Sequence, residues 1–133
     1  MKLKLLAKPF SFELLQTLTT SQGIIKKKQG LLIKLESKSG KLGWGEITPF
    51  NTHELRICER ILNKVGSSPS RKILEQGVKE WPGALGFAIG AALAELDCLI
   101  GNQSMQNWLQ SSCSAILLPT KDSLLLDALD LNI

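Results

Sequence analysis

The chain has 133 residues, of which 44% are hydrophobic and 21% are charged, and these proportions fit one folded domain and exclude a disordered chain. Its formal net charge is +4 and its densest basic run is Lys26–Lys28, yet it contains no tyrosine. Because no aromatic residue is interleaved with these lysines, a stacking surface for single-stranded nucleic acid is not predicted, and the lysines are interpreted as solvated loop residues.

The first part of the chain predicts an antiparallel sheet. Leu3–Gln16 mixes apolar and polar positions and predicts one extended strand, or two with a kink at the proline, which has no backbone donor. Thr17–Gly30 is polar and punctuated by glycine, so it is interpreted as a loop. Leu31–Lys38 alternates between apolar and charged residues and, with the turn at Ser39–Gly40 and the returning run Leu42–Ile47, predicts a β-hairpin.

Three helices are predicted after this hairpin. Asn51 or Thr52 caps the first, which a glycine ends. A shorter helix covers about 71–80, and a Trp-Pro-Gly sequence ends it. The third, Ala84–Ile100, is apolar on every side and rich in alanine and glycine, so it is expected to be buried and closely packed. Trp44, in the second hairpin strand, is predicted to be buried against this third helix.

The last part of the chain predicts a different unit. Ser114–Leu118 reads as a short apolar strand, and Asp122–Leu131 begins another helix. Strands followed by helices give an α+β domain, which is predicted over residues 1–111. The strand–helix pair in residues 112–133 indicates the start of a second unit.

The residue types present give no familiar catalytic or metal-binding motif. His53 is the only histidine and begins a helix with no nucleophile paired to it by spacing, so a surface role is preferred. Glu95 and Asp97 point to different sides of a helix, so they do not form a catalytic pair of carboxylates. Glu46, at a strand end, is interpreted as a structural carboxylate that bonds to backbone amides of the following loop. The chain is therefore predicted to supply no catalytic residue and no metal ligand.

Cysteine usage and hydropathy predict a soluble, cytoplasmic protein. Cys58, Cys98 and Cys113 are odd in number and lack CxxC spacing, which favours reduced, packed thiols. The N-terminus does not resemble a signal peptide. The longest stretch of low charge, Pro82–Ala94, is too short to cross a bilayer. No membrane or nucleic-acid partner is predicted.

Two segments resemble the muconate-lactonizing subgroup of the enolase superfamily. The first joins Gly30–Leu35 to Leu42–Phe50, with the motif Gly-Trp-Gly-Glu-Ile-Thr-Pro, and is similar to part of that subgroup's N-terminal domain. The second, Pro82–Leu96, is similar to the helix that precedes its barrel. Within the subgroup both look most like the o-succinylbenzoate synthase family, and Ser114–Thr120 resembles that family's first barrel strand.

This resemblance implies an α+β capping domain followed by the truncated start of a TIM-type barrel. In these enzymes a lysine removes a proton next to a carboxylate and Mg²⁺ holds the resulting enediolate. The synthases then dehydrate a cyclohexadiene carboxylate to o-succinylbenzoate, on the route to menaquinone or phylloquinone. The family's catalytic lysines and metal ligands lie on later barrel strands. The chain alone is therefore expected to bind no Mg²⁺ and to be inactive, with the missing barrel domain as its packing partner and a small-molecule carboxylate as the substrate of the full-length enzyme.

The same resemblance implies that two loops of the cap close over the substrate. They are predicted at Thr17–Lys28, whose polar composition suits a mobile lid, and at Thr48–Asn51. The candidate substrate-covering residues are Thr20, Ser21, Gln22, Gly23, Thr48, Pro49, Phe50 and Asn51. Two alternatives stay open: the cap of a dipeptide epimerase or a muconate cycloisomerase, and a non-catalytic interaction module that uses its lysines for an acidic partner.

Overall fold

The computed structural model describes residues 1–100. Its elements in chain order are β1 (Lys4–Thr20), β2 (Gly23–Glu36), β3 (Leu42–Ile47), α1 (Thr52–Val65), α2 (Arg71–Glu80) and α3 (Gly83–Leu96). The strands form one antiparallel sheet in the order β1–β2–β3, so the predicted α+β class is confirmed. The predicted strand Ser114–Leu118, the helix Asp122–Leu131 and the boundary near residue 111 lie outside the described residues.

The predicted hairpin is present as β2 and β3. Leu31, Ile33 and Leu35 are buried on one face of β2, as the alternating pattern predicts. The turn is held by the Ser37 N–H, which donates to the Lys41 carbonyl over 2.9 Å, and by the Gly40 N–H, which donates back to the Ser37 carbonyl over 3.0 Å. Local sequence therefore sets both the register and the buried face of this hairpin.

The prediction of a loop over Thr17–Gly30 was wrong. β1 and β2 stay paired as far as Thr20 opposite Gly23, with an irregularity between Glu13 and Leu18. Beyond it Leu18 pairs with Ile25 and Thr19 with Ile24, and such branched and β-branched residues suit a pleated ladder. Polar composition alone could not separate a loop from a projecting hairpin, because each strand satisfies its backbone groups through the other.

The first two helices follow the predicted boundaries. Asn51 has extended backbone angles, and its Oδ1 accepts the Glu54 N–H over 2.6 Å, which caps α1. Ser70 caps α2 in the same way, its Oγ accepting the Ile73 N–H over 3.3 Å. Both helices therefore begin where a short polar side chain satisfies one of the free N–H groups of the first turn.

The third helix ends four residues earlier than predicted, at Leu96 rather than Ile100. Cys98 takes a left-handed conformation, with φ of 59°. Its N–H donates to the Glu95 carbonyl over 3.0 Å, and the Leu99 N–H donates to the Ala94 carbonyl over 2.9 Å. This pair of bonds is the Schellman arrangement. The sequence did not predict this helix end, because the left-handed position after a helix is usually glycine or asparagine and here it is cysteine.

Helix α3 packs on β3 through backbone rather than through large side chains. An ideal Cβ placed on Gly43 would lie 2.8 Å from the Ala92 carbonyl carbon, and one on Gly45 the same distance from the Ala88 carbonyl carbon. Trp44, between them, points to the opposite face and is 50% exposed. The prediction that its ring is buried against the third helix was therefore wrong, since strand alternation gives that face to the two glycines.

The core lies between the sheet and the helices. Ile33, Leu35, Ile47, Cys58, Leu74, Leu85, Ile89 and Ala92 are fully buried within it. The expectation that α3 is apolar and largely buried is confirmed for the residues that face β3, whereas Phe87 stays 77% exposed. No helix among residues 1–100 is long and apolar enough to span a membrane.

Candidate functional site: one end of the sheet

The hairpin of β1 and β2 projects beyond the rest of the sheet and closes in a tight turn. Thr20 Oγ1 donates to the Gly23 carbonyl over 2.9 Å and accepts the Gln22 N–H over 3.2 Å. Gly23 has a φ of +128°, which L side chains rarely adopt. The four predicted covering residues Thr20, Ser21, Gln22 and Gly23 therefore form the ordered tip of a hairpin.

The connection from β3 to α1, residues 48–51, leaves the sheet at the same end as this tip. β3 runs antiparallel to β2, with Ile47 opposite Leu31, so it exits towards the projecting hairpin. Gly30 allows the close passage of the connection, because a Cβ there would lie 3.1 Å from the Ile47 carbonyl carbon and 2.7 Å from Thr48 Cγ2. The absence of a side chain at Gly30 thus brings the two predicted covering segments together.

Two polar contacts tie the base of the hairpin to its surroundings. Lys28 Nζ lies 2.7 Å from Glu46 Oε1, and both side chains are close to half exposed. Gln29 Nε2 donates to Thr52 Oγ1 over 3.3 Å, which links β2 to the first turn of α1. Glu46 was predicted to bond to backbone amides of the following loop, but the partner that the structure gives it is a lysine of the neighbouring strand. Lys26–Lys28 lies on a strand rather than in a solvated loop.

A cleft of 280 Å³ lies between the hairpin and the connection. It is lined by Leu14, Leu18, Ile25, Lys27, Lys28, Gln29, Thr48, Pro49 and Phe50. Five of these nine residues are apolar, and the other four are two lysines, a glutamine and a threonine. Such a cleft can hold an apolar group while Lys27, which forms no ion pair among residues 1–100, attracts a negative charge.

Three of the eight predicted covering residues line this cleft, namely Thr48, Pro49 and Phe50. The tip residues 20–23 project past it, and the side chain of Asn51 is used to cap α1. Sequence reasoning missed Leu18 and Ile25 because it treated residues 17–30 as a loop, and it missed Leu14 because it assigned the first strand no part in the site. Leu18, between two threonines, carries the signal that could have indicated a strand, whereas Leu14 and Ile25 each adjoin another apolar residue and show no alternation.

The other candidate residues lie away from the cleft. His53 is exposed in the first turn of α1. Cys58 is buried, and burial, followed by the nearby Glu54 carboxylate, raises the pKa of its thiol. Arg71 bonds to Asp97 and Glu75, and these bonds raise the pKa of its guanidinium group. Within residues 1–100, no three His, Cys, Asp or Glu side chains are grouped to hold a metal ion.

No protein-family model matches the chain, and no curated protein matches it. Solved structures do match its fold. A dipeptide epimerase from Methylococcus capsulatus, complexed with Mg and the dipeptide L-Arg-D-Lys, is 22% identical with a TM-score of 0.51, and the match covers 74% of this chain and 31% of the epimerase chain. A mandelate racemase/muconate lactonizing protein from Herpetosiphon aurantiacus is 20% identical with a TM-score of 0.51, over 69% of this chain and 29% of its own.

These two likenesses decide the architecture. The described domain has the fold of an enolase-superfamily N-terminal capping domain. An o-succinylbenzoate synthase from Thermosynechococcus elongatus BP-1, with Mg in its active site, is 24% identical with a TM-score of 0.49, over 62% of this chain and 25% of the synthase chain. The chain therefore spans less than a third of the length of the structures it matches.

Proposed function

We propose that this chain is the substrate-covering cap of an enolase-superfamily enzyme, and that the enzyme is an o-succinylbenzoate synthase. The observation that carries the proposal is the cleft between the β1–β2 hairpin and residues 48–50 at one end of the sheet. A cap acts by presenting two such segments to the open end of a barrel, where they exclude water and contact the substrate.

The lining of the cleft fits a carboxylate substrate with a hydrocarbon ring. Leu18, Ile25 and Phe50 offer apolar surface to the ring, and Lys27, which forms no ion pair among residues 1–100, favours the approach of the carboxylate. The motif Gly-Trp-Gly-Glu-Ile-Thr-Pro and the alanine-rich third helix, which resemble the synthase family in sequence, favour this substrate over a dipeptide.

The described residues do not fit the Mg²⁺ that this superfamily uses, because none of their acidic side chains are grouped as ligands. No step through the metal is therefore assigned to this chain. Its proposed contribution is to cover and orient the substrate, while a barrel domain supplies the base and the metal ligands. A chain of these 133 residues alone is expected to give no Mg²⁺-dependent dehydration.

Two chimeras test the proposal and separate it from its main alternative. In one, residues 1–100 replace the matching cap of the Thermosynechococcus elongatus synthase; in the other, they replace the cap of the Methylococcus capsulatus epimerase. We expect Mg²⁺-dependent dehydration from the first chimera and little epimerisation from the second. The reverse result would assign the cap to an epimerase.

A matched variant keeps the chimera experiment specific to the cleft. Phe50→Ala in the active chimera is expected to raise KM for the substrate roughly tenfold, about 1.4 kcal/mol of lost contact. Ile73→Ala, at a half-exposed apolar residue on α2, serves as the control and should leave KM unchanged. If neither folded chimera is active, the third reading, a non-catalytic interaction module, replaces this proposal.

A further inference from the structure

Among residues 1–100, the face of the sheet that points away from α3 is uncovered and carries several exposed apolar side chains. Leu6 is 45% exposed, Leu32 43% and Trp44 50%. With Lys8 and Lys34 these residues line a shallow cleft of 230 Å³. Contiguous exposed apolar side chains on a folded domain mark an interaction surface, and neither the helices nor the proposed substrate cleft uses this one.

The pairing register arranges this open face in three rows across the strands. Each row contains one residue from β1, one from β2 and one from β3. In order along the sheet, the rows are Lys4, Glu36 and Leu42; then Leu6, Lys34 and Trp44; then Lys8, Leu32 and Glu46. Five of these nine residues are charged and four are apolar, and the third row has opposite charges on its two outer strands.

We propose that this open face packs against the same face of a second copy of the chain. Consider a two-fold dimer whose axis lies between the two sheets and runs parallel to β2. Each β1 residue then faces the β3 residue of the same row in the partner. Lys8 then faces the partner's Glu46, Leu6 faces the partner's Trp44, and Leu32 faces the partner's Leu32. The arrangement is a sheet-on-sheet packing with nearly aligned strands.

The charges on the face fit this arrangement. Lys8 makes no ion pair among residues 1–100, whereas Glu46 meets Lys28 only through Oε1, so its second oxygen can accept the partner's Lys8. Lys34 would face the partner's Lys34 across the axis. Its ammonium lies over the Trp44 ring, 5.9 Å from the centroid, and therefore points away from the axis towards β3. Glu36 faces the partner's Glu36 and gives a second like-charge contact on the axis, which the rotation of about 30° between packed sheets separates.

The first test measures assembly of the full 133-residue chain by sedimentation over a range of concentrations. Cys98→Ser and Cys113→Ser remove competing thiols, and Leu32→Cys then places one thiol at the two-fold axis. A short bis-maleimide is expected to cross-link two copies, because packed sheets lie about 10 Å apart and the two facing sulfur atoms lie closer than that. Ile73→Cys, on the opposite side of the domain in α2, is the matched control and should not cross-link.

A charge exchange tests the proposed contact directly. Each single variant, Lys8→Glu or Glu46→Lys, is expected to weaken the dimer roughly tenfold, because the two-fold axis makes each lost contact occur twice in the dimer. The double variant should recover most of the loss, and Lys72→Glu on α2 should change nothing. A chain that is monomeric at every concentration overturns the proposal, and it does so equally if the reason is that residues 101–133 cover this face. A dimer whose double variant stays as weak as the single variants also overturns it.

Discussion

Replacing Gly43 or Gly45 by alanine is predicted to destabilise the domain strongly, because both positions hold the sheet against α3. The added Cβ would lie 2.8 Å from a carbonyl carbon of α3, and the nearest oxygen is closer still. Backbone atoms cannot rotate away as a flexible side chain can. The strand and the helix must therefore separate, which loses contacts of buried residues such as Ile89 and Ala92.

The size of this effect follows from two opposing contributions. Overpacking of a core costs about 1–3 kcal/mol, and a backbone clash falls at the upper end of that range. Replacing glycine by alanine also lowers the conformational entropy of the unfolded chain, which recovers about 0.5–1 kcal/mol of stability. The net loss in the free energy of unfolding is therefore about 2 kcal/mol for either variant. With an m-value of about 1.5 kcal/mol/M in urea, the unfolding midpoint should fall by more than about 1 M.

Urea unfolding followed by circular dichroism measures this loss, and Gly83→Ala is the control. Gly83 lies at the start of the same helix with no heavy atom within 4 Å of its added Cβ, so alanine there should leave the midpoint unchanged or raise it. If Gly43→Ala and Gly45→Ala are as stable as the wild-type chain, the close backbone packing of β3 on α3 is refuted.

Three further predictions concern single residues. Asn51→Ala removes the cap of α1 and should lower the free energy of unfolding by about 1 kcal/mol, or Tm by about 4 °C in a thermal scan, whereas Asn51→Asp should keep most of it. Burial raises the pKa of the Cys58 thiol above its ordinary value of 9.0, so stability is complete below pH 9.0 and falls as pH rises towards the raised value, because the unfolded chain loses the proton first. Chemical unfolding across pH should show this alkaline loss in the wild-type chain and not in Cys58→Ala. Glu46→Gln breaks a half-exposed ion pair and should cost less than about 1 kcal/mol, a difference that disappears in 1 M salt; a larger loss that persists in salt would mean the pair is not screened by solvent.

The sequence by itself determined the elements whose signals are local. The alternation of Leu31, Ile33 and Leu35 gave the buried face of β2, and Asn51 gave the start of α1, because both depend on neighbours within a few residues. The family resemblance, carried by the second hairpin strand and the alanine-rich helix, pointed to the capping-domain fold. The eight covering residues, by contrast, stay predictions of role, although the structure places three of them around one cleft.

Only the tertiary structure decided which way Trp44 points and how far the β1–β2 hairpin extends. A large aromatic residue in a strand favours burial, but at this position α3 approaches so closely that only Gly43 and Gly45 fit beneath it, and alternation then turns Trp44 outwards. The run Thr17–Gly30 forms the end of β1 and the start of β2, because these two segments supply each other's backbone partners across the ladder. Both outcomes depend on contacts between residues far apart in the chain, which local composition does not encode.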